Sequence, residues 1–244
     1  MKNKRAVFFD LDGTLLPVNL DRMFQAYFAR LKESRVLALI SGNEEEAFRV
    51  FNEAADVMMQ NEGSDFNDNV FFAYIASRTG VGKPILEKPF DDFYTTVFEG
   101  LGGLLGQKSG LQRQILDTVR GKGYQTVLAT MPVFPLPAAV SRLSWVGLGP
   151  EDFTYISHYK NSRFLKPHPG YYEEILANLG LTGEDCIMVG NNIKEDMGAA
   201  RLGFDVFLVT GYEIGAYETG AFPDGDLAAL LAWVRALPEA EGMG

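Results

Sequence analysis

Four short apolar segments constrain the chain most. They are "AVFF" (6–9), "YQTVLAT" (124–130), "CIMVG" (186–190) and "DVFLVT" (205–210). Each is rich in β-branched or aromatic residues and carries at most one charge. A weaker fifth, "FTYIS" (153–157), lies between the second and third. Amphipathic patterns separate them. "SGLQRQILDTVRGKG" has Ser109 as a cap, apolar residues at 111, 115, 116 and 119, and a glycine stop. "GYYEEILANLG" has apolar residues at 171, 172, 175, 176 and 179, and "IKEDMGAARLG" reads as a further helix before the next strand. Fully apolar strands alternating with amphipathic helices predict an α/β fold, a parallel sheet covered on both faces. Ligands then gather at the carboxyl ends of the strands.

Residues 18–100 break this rhythm. Helical stretches are expected near 19–34, 41–61, 66–79 and 85–99, rich in Phe, Met and Ala, with almost no strand signal. The expected division is a core of 1–17 with 101–244 and an all-helical insertion of 18–100. Its aromatics are read first as the core of a helix bundle, and their bulk hints at a closed, dry chamber for a small molecule. A last helix, 226–237, carries Leu227, Leu230, Leu231 and Val234 on one face, which should pack on the sheet.

With 244 residues, 47% of them apolar, the chain has material for one large domain with a sizeable insertion. Its charge, 22 minus 32 or −10, is well mixed along the sequence. That argues against nucleic-acid or membrane binding by bulk electrostatics, but leaves room for a small anionic substrate at a local basic spot. The basic start "MKNKRAVFFD" has an apolar run of only four residues before Asp10, too short for a signal peptide. No apolar run approaches the ~20 residues of a membrane helix. Cys186, the one cysteine, lies in an apolar run, so no intramolecular disulfide forms and a cytoplasmic setting is expected.

The first strand runs straight into "DLDGT". Asp10 and Asp12 are two apart, so in an extended segment their carboxylates point the same way. Two close carboxylates in a partly dry site call for a cation, or serve as nucleophile and acid/base partner. The plain alternative is a turn with Asp12-Gly13 at its corner.

Strand, D-x-D-G-T and an apolar pair resemble the first motif of the haloacid dehalogenase superfamily. The others follow in order at strand ends: Thr130 in "VLATM" matches the second, Lys166 in "LKPHPGYY" the third, and "VGNNIKED" (189–196) the fourth. The insertion matches the helical cap that many members carry between motifs one and two. The resemblance covers nearly the whole chain and implies a Rossmann-like core. It implies a magnesium-dependent hydrolysis of phosphate esters, in which Asp10 attacks phosphorus and forms a phosphoaspartate. Asp12 would give the leaving oxygen its proton and later take one from water. Thr130, neighbouring backbone N–H groups such as that of Met131, and Lys166 would bind the phosphate. Magnesium would be held by Asp10, Asp12 through its carbonyl, Asn191 and Asp196. Asp12 also favours phosphoryl chemistry over dehalogenation, since members that release halide lack this second Asp and halide needs no proton.

The fourth motif departs from the pattern. The family usually places Asp where Asn191 stands, and some members have an acid at 192; both are Asn here. Asn191 becomes a neutral candidate ligand. Asp196 is the preferred carboxylate, reaching the cation through water or Lys166, with Glu195 as its rival. The expected partner is a small phosphorylated metabolite. The alternatives are a non-catalytic phosphoryl-binding protein and a sugar phosphomutase. His158, His168, Asn161 and Arg163 are read as ordinary loop residues, and Cys186 as inert packing.

Overall fold

The computed structural model of the chain describes residues 4–106 and 108–240. Six strands form one parallel sheet: β1 Ala6–Phe9, β2 Gln125–Leu128, β3 Tyr155–Ile156, β4 Cys186–Gly190, β5 Asp205–Val209 and β6 Asp224–Gly225, in the order β3-β2-β1-β4-β5-β6. β1 is central, with Ala6 opposite Gln125 on one side and Cys186 on the other. The five expected strands all form. β6, a two-residue edge, carries too little pattern to be read from the sequence.

The period-two alternation of β1 explains its total burial. Val7 and Phe9 pack on one face with α6 (Leu111–Gly121) and α9 (Leu227–Ala236); Ala6 and Phe8 pack on the other with Tyr171, Tyr172 and Ile175 of α8 (Pro169–Leu179). Of the α9 face, Leu230, Leu231 and Val234 are buried, and Trp233 meets the ring of Phe207 on β5 at 5.0 Å.

Between β1 and β2 the chain is helical: α1 Leu20–Glu33, α2 Glu44–Met59, α3 Asn67–Thr79, α4 Lys83–Phe93 and α5 Gly102–Leu105. Asn side chains start two of them. Asn19 Oδ1 accepts from Arg22 N at 3.0 Å and Asn43 Oδ1 from Glu46 N at 2.9 Å. After α4 the helix widens into a π-helical segment, Tyr94–Phe98. The helical run ends at Leu105, beyond the expected boundary at 100. Its last part is tied to α7 (Leu136–Ser144): Ser141 Oγ donates to Tyr94 O at 3.0 Å and Trp145 Nε1 to Glu99 O at 3.0 Å. No helix among the described residues is long and apolar enough to cross a membrane.

Two expectations fail locally. Ser109 is not the cap of α6; the N-cap is Gly110, and Ser109 Oγ accepts from Leu111 N at 3.2 Å, one position early. "IKEDMGAARLG" is not an α-helix but a turn followed by a 3₁₀ segment, Met197–Leu202. Asn192 Oδ1 accepts from Lys194 N at 3.0 Å and Glu195 N at 3.1 Å, and these side-chain bonds hold the chain as a turn.

Candidate active site

The carboxyl ends of β1, β2 and β4 bring together residues far apart in sequence. Asp10 follows β1 directly, and its N–H bonds Val189 O at 2.9 Å; Ala129 N, just before Thr130, bonds Phe9 O at 2.7 Å. The sheet register therefore sets Thr130 and Asn191 on either side of Asp10.

After Asp10 the chain turns sharply. Gly13 has φ 84°, a left-handed conformation that disfavours side chains. Thr14 N and Leu16 N both bond Leu11 O, at 3.1 and 2.8 Å, which folds Thr14 back under the site. Thr14 Oγ1 lies 3.0 Å from Asp10 Oδ2 and 3.1 Å from Asn191 Oδ1. A Cβ on Gly13 would stand 2.2 Å from Asn191 Nδ2.

Lys166 is 4% exposed. Its Nζ donates to Asp10 Oδ1 at 2.9 Å and to Asp196 Oδ1 at 2.7 Å. Burial works against its charge, but Asp10 and Asp196 outweigh it and hold the lysine well above its ordinary pKa. It is an ammonium at any pH the protein meets. The other oxygen of Asp196 accepts from the N–H groups of Asn191 at 3.1 Å and Asn192 at 3.0 Å. Burial raises the Asp196 pKa, and the Lys166 ammonium pulls against the rise. Gly190 is needed here, because a Cβ would lie 2.3 Å from Asp196 Cγ.

Asp12 lines the same cavity as Asp10. One of its oxygens pairs with Nη1 of Arg142, a residue of α7; the other is buried without a partner. Burial raises the Asp12 pKa and Arg142 opposes the rise. Arg142 is 1% exposed, donates from Nε to Ala138 O at 3.1 Å, lies 5.0 Å from the centre of the Phe134 ring, and leaves Nη2 buried with no partner. Thr130 Oγ1 is also buried and unpartnered. Its carbonyl is held by Ser157 Oγ at 2.8 Å and Tyr171 Oη at 2.9 Å, which fixes the loop. A cavity of about 340 Å³ opens over Asp10 and Asp12, with Met131, Phe134, Arg142 and Glu195 in its wall. Burial pushes Glu195 up to about 7.

Arg142 is the residue that the sequence reading missed. Its signal is positional. Ala138, Ala139, Arg142 and Leu143 form the buried stripe of α7, and a charge in such a stripe needs a partner. The histidines and their neighbours are structural. His158 Nδ1 accepts from Lys160 N at 3.2 Å, and burial lowers it to about 4. His168 caps α8 through Gly170 N at 3.0 Å and stacks on Phe164. Asn161 bonds His158 N at 2.8 Å, and Arg163 covers the Phe66 ring.

The fit for magnesium can be judged from the oxygens. Among the described residues no group of three or more His, Cys, Asp or Glu side chains is arranged to hold a metal ion. Asn191 Nδ2 donates to Tyr212 O at 2.6 Å, which turns its Oδ1 toward Asp10. One hydroxyl, that of Thr14, reaches both oxygens, so they converge. Asp196 meets Lys166, one of the two routes by which it was expected to act on the cation, and its other oxygen accepts from two backbone N–H groups. Two side-chain oxygens and a backbone carbonyl suit a cation that keeps several waters, with one negative charge fewer than an all-carboxylate set.

Comparison with known proteins bears on the family and the fold. Residues 4–203 match the family model described as a haloacid dehalogenase-like hydrolase. None of the curated proteins matches the chain. Among solved structures, the chain is similar to a HAD phosphatase from Thermococcus onnurineus, with TM-score 0.57 at 17% identity, covering 97% of this chain and 100% of that one. A predicted phosphoglycolate phosphatase from Haemophilus somnus 129pt gives 0.58 at 18% identity, over 96% and 99%. A 2-haloacid dehalogenase from Pseudomonas syringae pv. Tomato DC3000 gives 0.61 at 17%, over 96% and 98%. At such identities these likenesses speak for the fold alone.

Proposed function

The chain belongs to the haloacid dehalogenase-like hydrolases, and from that premise we propose that it is a magnesium-dependent phosphatase of small phosphate monoesters. One observation carries the reading. Around Asp10 stand the Lys166 ammonium at 2.9 Å and two buried groups that lack partners, Thr130 Oγ1 and Arg142 Nη2. Buried donors without acceptors are costly, and an anion with several oxygens would satisfy them.

In this reading Asp10 attacks phosphorus, the bond to the alcohol oxygen breaks, and Asp12 hands that oxygen a proton. Water then attacks the phosphoaspartate, Asp12 takes the proton back, and inorganic phosphate leaves. Lys166, Thr130 and Arg142 face the charge that grows on the phosphoryl oxygens. Lys166 is held ready by Asp196, and Asp12 is oriented by Arg142. Magnesium, when bound, would be held by Asp10, the Asp12 carbonyl and Asn191, and would supply further positive charge against phosphate. The second carboxylate, Asp12, supports phosphoryl transfer over halide release, which needs no proton donor. A cytoplasmic setting belongs to the same proposal and is supported by a lone cysteine that is free and buried.

The test is hydrolysis of p-nitrophenyl phosphate with magnesium by wild type and Asp10→Asn. Phosphate release that is lost in the variant is expected; equal rates would sink the proposal. A second reading, a phosphoryl-binding protein without turnover, is favoured by the neutral Asn191 and by Asp196 being spent on Lys166. Phosphate binding with no turnover at saturating magnesium would establish it instead.

A further inference from the structure

A second cavity, of about 210 Å³, lies in the helical insertion. Rings from α1, α2, α3, α4 and the π-helical segment line it, among them Phe51, Phe72, Phe90 and Tyr94. Phe51 stacks on Phe90 at 5.9 Å and Phe72 meets Phe90 edge-on at 6.1 Å, so the wall presents both ring faces and ring edges. None of its lining side chains is charged. One polar group is unspent: Tyr159 Oη is buried with no hydrogen-bond partner.

This chamber adjoins the site over Asp10. Phe24, Met59, Val133 and Phe134 line both cavities. Phe134 is the threshold, since the Arg142 guanidinium that pairs with Asp12 lies 5.0 Å from its ring centre. The chamber thus lies directly behind the wall of the site, and an alcohol esterified to a phosphate at Asp10 would reach it past Phe134.

The dimensions limit what enters. Packed interiors contain few voids larger than a water molecule. An apolar cavity of ~150 Å³ stays dry and admits benzene. A chamber of 210 Å³ therefore holds one ring with a short link. A polyhydroxylated alcohol would exchange its bonds to water for a mostly apolar wall whose polar groups are Asn52 and three phenols, two of which, Tyr27 and Tyr94, are already bonded to each other. Aromatic rings gain from edge and face contacts with such a wall.

We infer that the substrate is a phosphate monoester whose alcohol carries a single apolar ring, seated in this chamber while the phosphate lies at Asp10; the inference rests on the phosphatase reading of Asp10.

The experiment uses the full chain with magnesium. kcat/KM is measured for 2-phenylethyl phosphate and ethyl phosphate, and 2-phenylethanol is titrated by calorimetry. The ring should raise kcat/KM by roughly 10- to 100-fold, as expected for burying one phenyl group, and the alcohol alone should bind. Ala55→Phe, on α2 in the chamber wall, should bring the two esters within about 3-fold and weaken the alcohol, since a ring fills the space. If that variant does not fold, the two wild-type measurements decide. Equal kcat/KM for both esters with no binding of the alcohol overturns the inference and leaves the phosphatase reading standing. Binding of the alcohol with neither ester hydrolysed supports the chamber and removes the phosphatase reading.

Discussion

Replacing Arg142 with leucine tests the charge structure of the site. The guanidinium is 1% exposed and is the only cation paired with Asp12 among the described residues. Leucine replaces most of the aliphatic stem and none of the charge. Deleting one partner of a buried ion pair costs ~3–5 kcal/mol, because the other charge stays buried and alone. The Asp12 side chain is 13% exposed, so some water reaches it and the lower end, ~3 kcal/mol, is expected. Burial already raises the Asp12 pKa, and Arg142 is the largest influence against that rise. Without it Asp12 should take up a proton, and the penalty should shrink as pH falls. The assay is urea unfolding of wild type, Arg142→Leu, Asp12→Asn and the double variant at pH 7. Asp12→Asn removes the stranded charge, so the double variant should regain much of the loss, with a coupling energy of at least ~1.5 kcal/mol. Effects that add to within ~0.5 kcal/mol would refute the pairing.

Gly13→Ala should lower stability by ~1–3 kcal/mol from the left-handed backbone alone, and should cut activity by displacing Asn191; an unchanged Tm and rate would contradict the close approach. Asn191→Asp should tighten magnesium about 10-fold, or ~1.4 kcal/mol, even though the donor to Tyr212 O is lost, while Asn192→Asp should not; calorimetry that finds no change in either removes position 191 from the metal's ligands. His158 titrates at about 4 when folded and near 6.5 when unfolded. The unfolded chain therefore binds the extra proton between these values, and stability should be whole above pH ~6.5 and decline toward pH 4. His158→Gln should flatten that slope in urea melts at pH 7 and 5. Burial pushes the Cys186 thiol up to about 12, so Ellman's reagent should find no thiol at pH 8 until urea is added; prompt reaction of the native protein would contradict its packing.

Much of this was legible in the sequence because strand ends carry two signals at once. The apolar run of β1 gives the strand, and Asp10 gives the point where it leaves the sheet. Thr130, Lys166 and Asn191 follow from the resemblance to the family's ordered motifs, and the parallel register brings Thr130 and Asn191 beside Asp10. What stayed hidden depends on partners distant in sequence. Asp196 sits at the expected spacing, but only the fold turns one of its oxygens to Lys166 and the other to two backbone amides. Arg142 reads as an ordinary helix charge until Asp12, 130 positions earlier, is seen against it. The turn at 192–196 reads as a helix because periodicity does not register a side chain that competes for backbone N–H groups. The ring chamber could be suspected from the Phe content of the insertion, but the wall it shares with the site through Phe134 could not.

The central place of β1 also sets an order of assembly. Its four residues have no exposed surface in the folded protein. They are made first, yet one neighbour begins at Gln125 and the other at Cys186. At about 5–20 residues per second, a ribosome needs roughly 10–40 s to bring the second partner after the first strand has been made. For that interval the strand that leads into Asp10 is a bare apolar edge. Pairings of such long range form late and slowly. The cluster around Asp10 is therefore among the last parts of the molecule to exist, and a chain stopped short of β4 would carry Asp10 without Asn191 or the Asp196 that holds Lys166.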